Sequence, residues 1–133
     1  MSYIEKHSNM NSTKPTESEL DILQVLWNHG PKSVRYVHDV INASKDVGYT
    51  TVLKQMQIMS EKGLLTRDTS QRSHIYNTSA GEQETKKGLL GKFIDSTFKG
   101  SAAALVMQTL GNYQPNSDEL NEIKNLIKNL ENK

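Results

Sequence analysis

Cysteine is missing altogether from this 133-residue chain, and with it go disulfides, thiolate metal sites and cysteine nucleophiles. A surplus of one charge sign is missing too. Sixteen Lys and Arg stand against fifteen Asp and Glu, a formal net charge of +1. No global field therefore announces a nucleic-acid partner, and any electrostatic footprint must be local. No apolar run approaches the roughly 20 residues that span a bilayer, so membrane insertion is not expected. The opening MSYIEKHSNMNSTKPT has neither an apolar core region nor a cleavage pattern, and it does not read as a signal peptide. The expectation is a cytoplasmic protein, in which the Asn-x-Ser/Thr triplets at Asn11, Asn42 and Asn77 carry no glycan.

Catalytic constellations are absent as well. His7, His29, His38 and His74 fall on a tail, a loop, a helical pattern and a strand pattern, without ligand spacing. KKGLLGKF lacks the spacing of a phosphate-binding loop and sits inside a helical pattern. Neither a Ser-His-acid set nor an inward carboxylate pair is evident. The chain is not read as an enzyme, and no metal or cofactor is expected.

What is present is mostly helix. Residues 1–15, polar and ending at Pro15, read as a flexible N-terminal tail. TESE then spells a capping box, in which Thr16 accepts the Glu19 amide and Glu19 reaches back to the Thr16 amide. Leu20, Leu23, Leu26 and Trp27 follow at helical spacing, and His-Gly-Pro closes a first helix over 17–28. Ser33 caps a second helix, with Val34, Val37, Val40 and Ile41 as its apolar members and an end near Ala43. After the turn SKDVG, a third helix covers 49–62, with Gly63 as its C′ residue. The period then changes: Leu64–Arg67 and His74–Thr78 read as short strands around the polar turn DTSQRS. Three helices followed by a two-stranded ribbon is the winged helix-turn-helix layout. The expected fold is mainly α with a small β-ribbon, its DNA-binding domain spanning 16–78.

From Ser79 onward the pattern is helical throughout. One segment over about 80–99 carries Leu89, Leu90, Phe93, Ile94 and Phe98, and a short alanine-rich helix is bracketed by Gly100 and Gly111. Ser117 is expected to cap the last helix, with Asp118 and Glu119 in its first turn. There Leu120, Ile123, Ile127 and Leu130 form a 3-4-3 apolar seam that needs a partner. Together with Leu105 and Val106 they are the candidate dimerisation residues, and 79–133 is the expected dimerisation region. Packing of the seam on its own chain is the alternative.

The third helix has two faces. Val52, Met56 and Met59 form an apolar stripe, while Thr50, Thr51, Lys54 and Gln57 oppose it with donors and no acid. Such a face suits the major groove of DNA: threonine reaches phosphate, base edges or a thymine methyl, lysine reaches guanine or phosphate, and glutamine pairs with adenine. Thr50 and Thr51 stand in the first turn, where helix amides also point at phosphate. A merely solvated face is the alternative for this helix alone; the helix-helix-helix-ribbon order favours the groove. Between Pro31 and Tyr76 seven Lys and Arg face four Asp and Glu, a local excess that predicts weak binding by one chain and specific affinity for a dimer. The candidate DNA contacts are Lys32, Ser33, Arg35, Tyr49, Thr50, Thr51, Lys54, Gln55, Arg67 and, at the ribbon tip, Arg72.

TESELDILQVLWNHGP, VRYVHDVI, YTTVLKQMQIMSEKGLL, the ribbon ending in Ile-Tyr, and FKGSAAALV together resemble the penicillinase-repressor family of bacterial transcription regulators, the BlaI/MecI/CopY group, over about Pro15–Lys133. The resemblance implies a homodimeric winged-helix repressor on an inverted-repeat double-stranded DNA operator, its C-terminal helices intertwined. It also implies a membrane-bound metalloprotease sensor as partner and relief of repression by proteolysis, with the scissile bond aligning between Gln108 and Thr109. The C-terminal cysteine ligands of the copper-responsive branch have no counterpart here. Two groove-facing positions depart from the family pattern: Lys54 stands where a threonine-like residue is usual and Ile58 where arginine is often found. The family's base preference therefore does not carry over, and Ile58 is left between contact with thymine methyls and packing under the wing. A rival of another class is a winged-helix module that uses the third helix to bind a protein.

Overall fold

Thr16 starts the first helix in the manner its sequence requires. Its hydroxyl accepts the Glu19 amide at 3.2 Å, and the Glu19 carboxylate accepts the Thr16 amide at 2.9 Å. The computed structural model describes residues 14–133, so the expected tail lies outside the described residues except for its end, where Pro15 is buried. The element order is α1 (Glu17–His29), β1 (Lys32–Ser33), α2 (Val34–Asn42), α3 (Tyr49–Glu61), β2 (Leu65–Asp68), β3 (Ile75–Thr78), α4 (Glu82–Thr97), α5 (Ala102–Asn112) and α6 (Ser117–Glu131). Gly30 at φ 83° ends α1, its amide returning to the Leu26 carbonyl. Gly63, at φ 86°, ends α3: its amide reaches the Ser60 carbonyl and that of Leu64 reaches the Met59 carbonyl. This is a two-bond left-handed cap, which only glycine enters without steric cost.

Ile22, Leu23, Val25 and Leu26 of α1, Val34 and Val37 of α2, Val52, Met56 and Met59 of α3, Leu65 of β2 and Tyr76 of β3 form one core. The α1 stripe thus centres on Ile22 and Val25 beside Leu23 and Leu26, whereas Leu20 and Trp27, expected in the same stripe, are only partly buried. The Trp27 indole N–H donates to the Ala80 carbonyl at 3.2 Å, fixing the chain just after β3. Among the described residues one charged side chain is buried with the core. Glu19 is 6% exposed and accepts from the Lys62 ammonium at 2.9 and 3.0 Å. Burial alone pushes its carboxyl up, but Lys62 and the Thr16 amide outweigh that and hold it below the ordinary carboxylate range. The pair fastens the start of α1 to the end of α3.

The ribbon is part of a three-stranded antiparallel sheet, ordered β1-β3-β2, rather than the two-stranded element expected. Lys32 and Ser33 pair with Tyr76 and Ile75, and β2 pairs with the other edge of β3 from Leu65↔Thr78 to Asp68↔Ile75. Two residues are too few to show a period, which is why β1 leaves no pattern in the sequence. The chain divides into two compact units between Leu89 and Leu90, within α4. In the second unit no residue from Leu90 to Lys133 is buried. Asn116, not Ser117, caps α6: its side chain accepts the Glu119 amide at 2.8 Å and Glu119 returns the bond at 3.3 Å. Gly111, expected as a boundary, lies inside α5.

Candidate nucleic-acid interface

Three segments close around one open groove of about 290 Å³. The start of α2 supplies Ser33 and Arg35, α3 supplies Tyr49, Leu53 and Gln57, and the ribbon supplies Arg67, Arg72, Ser73 and His74 beside Tyr76. Among the described residues lining it are three arginines and no acid. The Arg35 guanidinium stacks on the Tyr49 ring, 4.3 Å from its centroid, a cation–π contact that holds a flexible cation at the entrance of α3. Arg67 stands opposite Tyr76 in the sheet register, so its position follows from strand pairing rather than from loop conformation. At the tip the Ser70 amide donates to the Asp68 carboxylate at 2.9 Å. Hydrogen bonds from the Ser70 hydroxyl and amide keep that exposed carboxyl below its ordinary range, leaving one negative charge next to Arg67 in β2.

The turn before α3 is held from two sides. The His38 Nε2 lies 2.9 Å from the Val47 carbonyl, and the Val47 amide donates to the Asn42 side chain at 3.2 Å. The His38 ring also meets Tyr49 edge-on at 5.9 Å. His38 is therefore a fastening of the helix-turn-helix corner, half-buried, with its Nδ1 3.0 Å from the Asp39 carboxylate. At Gly48 no side chain caps α3, so the first-turn amides of Tyr49, Thr50 and Thr51 keep their donors for an outside acceptor.

Five of the ten expected contact residues, Ser33, Arg35, Tyr49, Arg67 and Arg72, line the groove. Thr50, Thr51 and Lys54 are exposed along α3, away from Val52, Met56 and Met59. The others are engaged elsewhere. Gln55 turns to α1 and donates its amide to the Ser18 hydroxyl at 2.9 Å. Lys32, on β1, holds its ammonium 4.7 Å from the Tyr36 ring centroid. Ser33 lines the groove while its hydroxyl accepts the Tyr36 amide at 3.2 Å as the α2 cap. Gln57 lines the groove where Gln55 does not, in keeping with its opposition to Val52 and Met56 on a 3.6-residue helix. His74 carries no comparable mark; it enters the groove because it precedes β3 directly.

The expected dimerisation side chains are open. Val106, Leu120, Ile127 and Leu130 are exposed and Leu105 and Ile123 are half-buried. Beyond this expected set, Leu90, Phe93, Met107, Tyr113 and Leu126 are exposed too. Gln108 and Thr109 both lie inside α5, where the Thr109 hydroxyl donates to the Leu105 carbonyl at 2.7 Å. No helix among the described residues is long and apolar enough to cross a membrane.

The family described as Penicillinase repressor matches residues 15–129. The "Transcriptional regulator BlaI" of Mycobacterium tuberculosis is 27% identical over 90% of this chain and 86% of its own length. The "Penicillinase repressor" of Staphylococcus aureus is 20% identical over 87% of this chain and 92% of its own. The "Methicillin resistance regulatory protein MecI" of the same species is 20% identical over 84% and 91%. Among solved structures, the solution structure of apo-NmtR aligns with 88% of this chain and 82% of that one, at 20% identity and a TM-score of 0.45. With its winged helix and a match from Pro15 to beyond the middle of α6, the chain belongs to the penicillinase repressor family.

Proposed function

We propose that this protein is a transcriptional repressor that occupies an inverted-repeat DNA operator as a homodimer, with α3 in the major groove and the ribbon along the flanking backbone. The observation that carries the reading is the arginine-lined groove continuous with the open face of α3. Its cations match phosphate, and the exposed Thr50, Thr51 and Lys54 match base edges. Gly48 leaves amides free at the helix end that points to the backbone. Family membership supports the same reading.

Dimerisation is supported by the second unit, where α5 and α6 leave their large apolar side chains without cover. A 44-residue helical segment is too short to bury a core alone, and a second copy supplies the missing face. Occupancy would block transcription sterically. Relief by a membrane-bound protease acting at Gln108–Thr109 would first require α5 to unwind, because that bond lies within a helix.

The test is fluorescence anisotropy of the full chain on duplexes it selects from a random pool, read against salt. Salt-steep, sequence-selective binding is expected, and replacing Arg35, Arg67 and Arg72 by alanine should lower the log–log slope by about 0.9 for each phosphate no longer neutralised. Failure to select any duplex at low salt would overturn the proposal and favour a protein-binding role for α3.

A further inference from the structure

We propose that Ile58 reads the 5-methyl group of a thymine and so sets part of the operator sequence; this rests on the DNA-binding reading above. Ile58 is 41% exposed and is absent both from the core and from the half-buried residues packed on it. Nor does it line the groove beneath the ribbon, where α3 contributes Tyr49, Leu53 and Gln57. Packing under the wing is therefore not its role.

An isolated exposed isoleucine is ordinary on a protein surface. This one has a specific place. Thr51, Lys54 and Ile58 recur at i, i+3 and i+7, one row along the part of α3 turned from the core. Two members of that row carry donors, and the third carries none. In the major groove the thymine methyl is the one alkyl group on a base edge; N7, O6, O4 and the amino groups are acceptors or donors. Isoleucine cannot satisfy those, so a polar edge opposite Ile58 would lose its water without compensation. Its β-branch also limits side-chain rotation, so little freedom is lost on docking. Ile58 lies about 10 Å along the helix from Thr51 at 1.5 Å per residue, which separates its base from the one that Thr51 faces.

The experiment uses the full chain and the duplex selected from the random pool. Each thymine is replaced singly by deoxyuridine, which removes the methyl and leaves base pairing intact. One position per half-site should weaken binding by about fourfold, the equivalent of one buried methyl. Replacement in both half-sites should weaken it by about the square of that. Ile58→Ala should bind thymine and deoxyuridine duplexes alike at that position, with its urea midpoint unchanged because the side chain is outside the core. Thr51→Ser, which deletes the other methyl in the row, should keep the discrimination. Discrimination that survives Ile58→Ala, or vanishes in Thr51→Ser, would overturn the assignment. So would a selected duplex in which no thymine methyl matters. A chain that selects no duplex fails earlier, at the DNA-binding reading itself.

Discussion

Removing the Lys62 ammonium should destabilise the winged-helix unit in a way that depends on pH. In Lys62→Met the Glu19 carboxylate, 6% exposed, keeps the Thr16 amide as its hydrogen-bond donor in the capping box. Breaking a buried pair from one side costs about 3–5 kcal/mol. Lys62 is 23% exposed, so water reaches the pair and about 2–3 kcal/mol is expected near pH 7. Glu19→Gln leaves an ammonium that can turn to solvent, and should cost about 1–2 kcal/mol. The sign with pH follows from the lowered carboxyl pKa. The pair's stabilisation is present above the ordinary carboxylate range and is lost as pH falls through the folded-state pKa. In Lys62→Met the carboxyl loses the ammonium that favours its charged form, so its burial penalty is relieved as pH falls. The deficits of both variants relative to the wild type should therefore narrow as pH falls through and below the ordinary carboxylate range. Urea unfolding followed by tryptophan fluorescence at several pH values measures this, with Trp27 as the only indole. A Lys62→Met deficit below about 0.5 kcal/mol and flat with pH would show that the pair behaves like a solvated surface bridge.

Lys54→Ala should weaken operator binding across sequences and lower the salt slope by about one unit per protomer; an unchanged slope in the anisotropy titration removes Lys54 from the contact set. Gly88 and Gly91 lie in α4 with nothing within 4 Å of where a Cβ would stand, so Gly88→Ala and Gly91→Ala should each stabilise the helix by about 0.5–1 kcal/mol. Thermal melts followed by helical circular dichroism would show this, and a destabilised variant would mean that something packs against those positions in solution. Ile127→Asp together with Leu130→Asp should leave a folded winged helix that elutes as a monomer and binds the operator far more weakly, as seen by gel filtration and gel shift. Undiminished affinity would make the α6 seam irrelevant to DNA binding.

Much of this architecture is legible locally, because the signals are local. Thr16 and Glu19 spell their own cap, Gly63 its own stop, and Val52, Met56 and Met59 the buried side of α3. The start of the last helix is legible too, one residue before the serine that the sequence offers as its cap. A capping box needs an acid three residues on, which Asn116 has in Glu119 and Ser117 does not have in Leu120. The different placing of Gln55 and Gln57 has the same origin, since the apolar stripe alone decides which glutamine faces outward. Other features are tertiary. The strand at Lys32–Ser33 exists only because β3 presents an edge, and the partner of the His38 Nε2 is a turn carbonyl nine residues away. Glu19 and Lys62 meet across 43 residues, a distance that no sequence period reports. The uncovered side chains of α5 and α6 follow from composition, but no pattern within one chain names the surface proposed to cover them.

Sedimentation velocity of the full-length protein with a duplex carrying both selected half-sites decides whether two chains act together on DNA. Two chains per duplex are expected at micromolar concentration, dissociating steeply as salt rises. A single chain per duplex, or free protein and free DNA sedimenting side by side in dilute buffer, would refute the dimeric repressor.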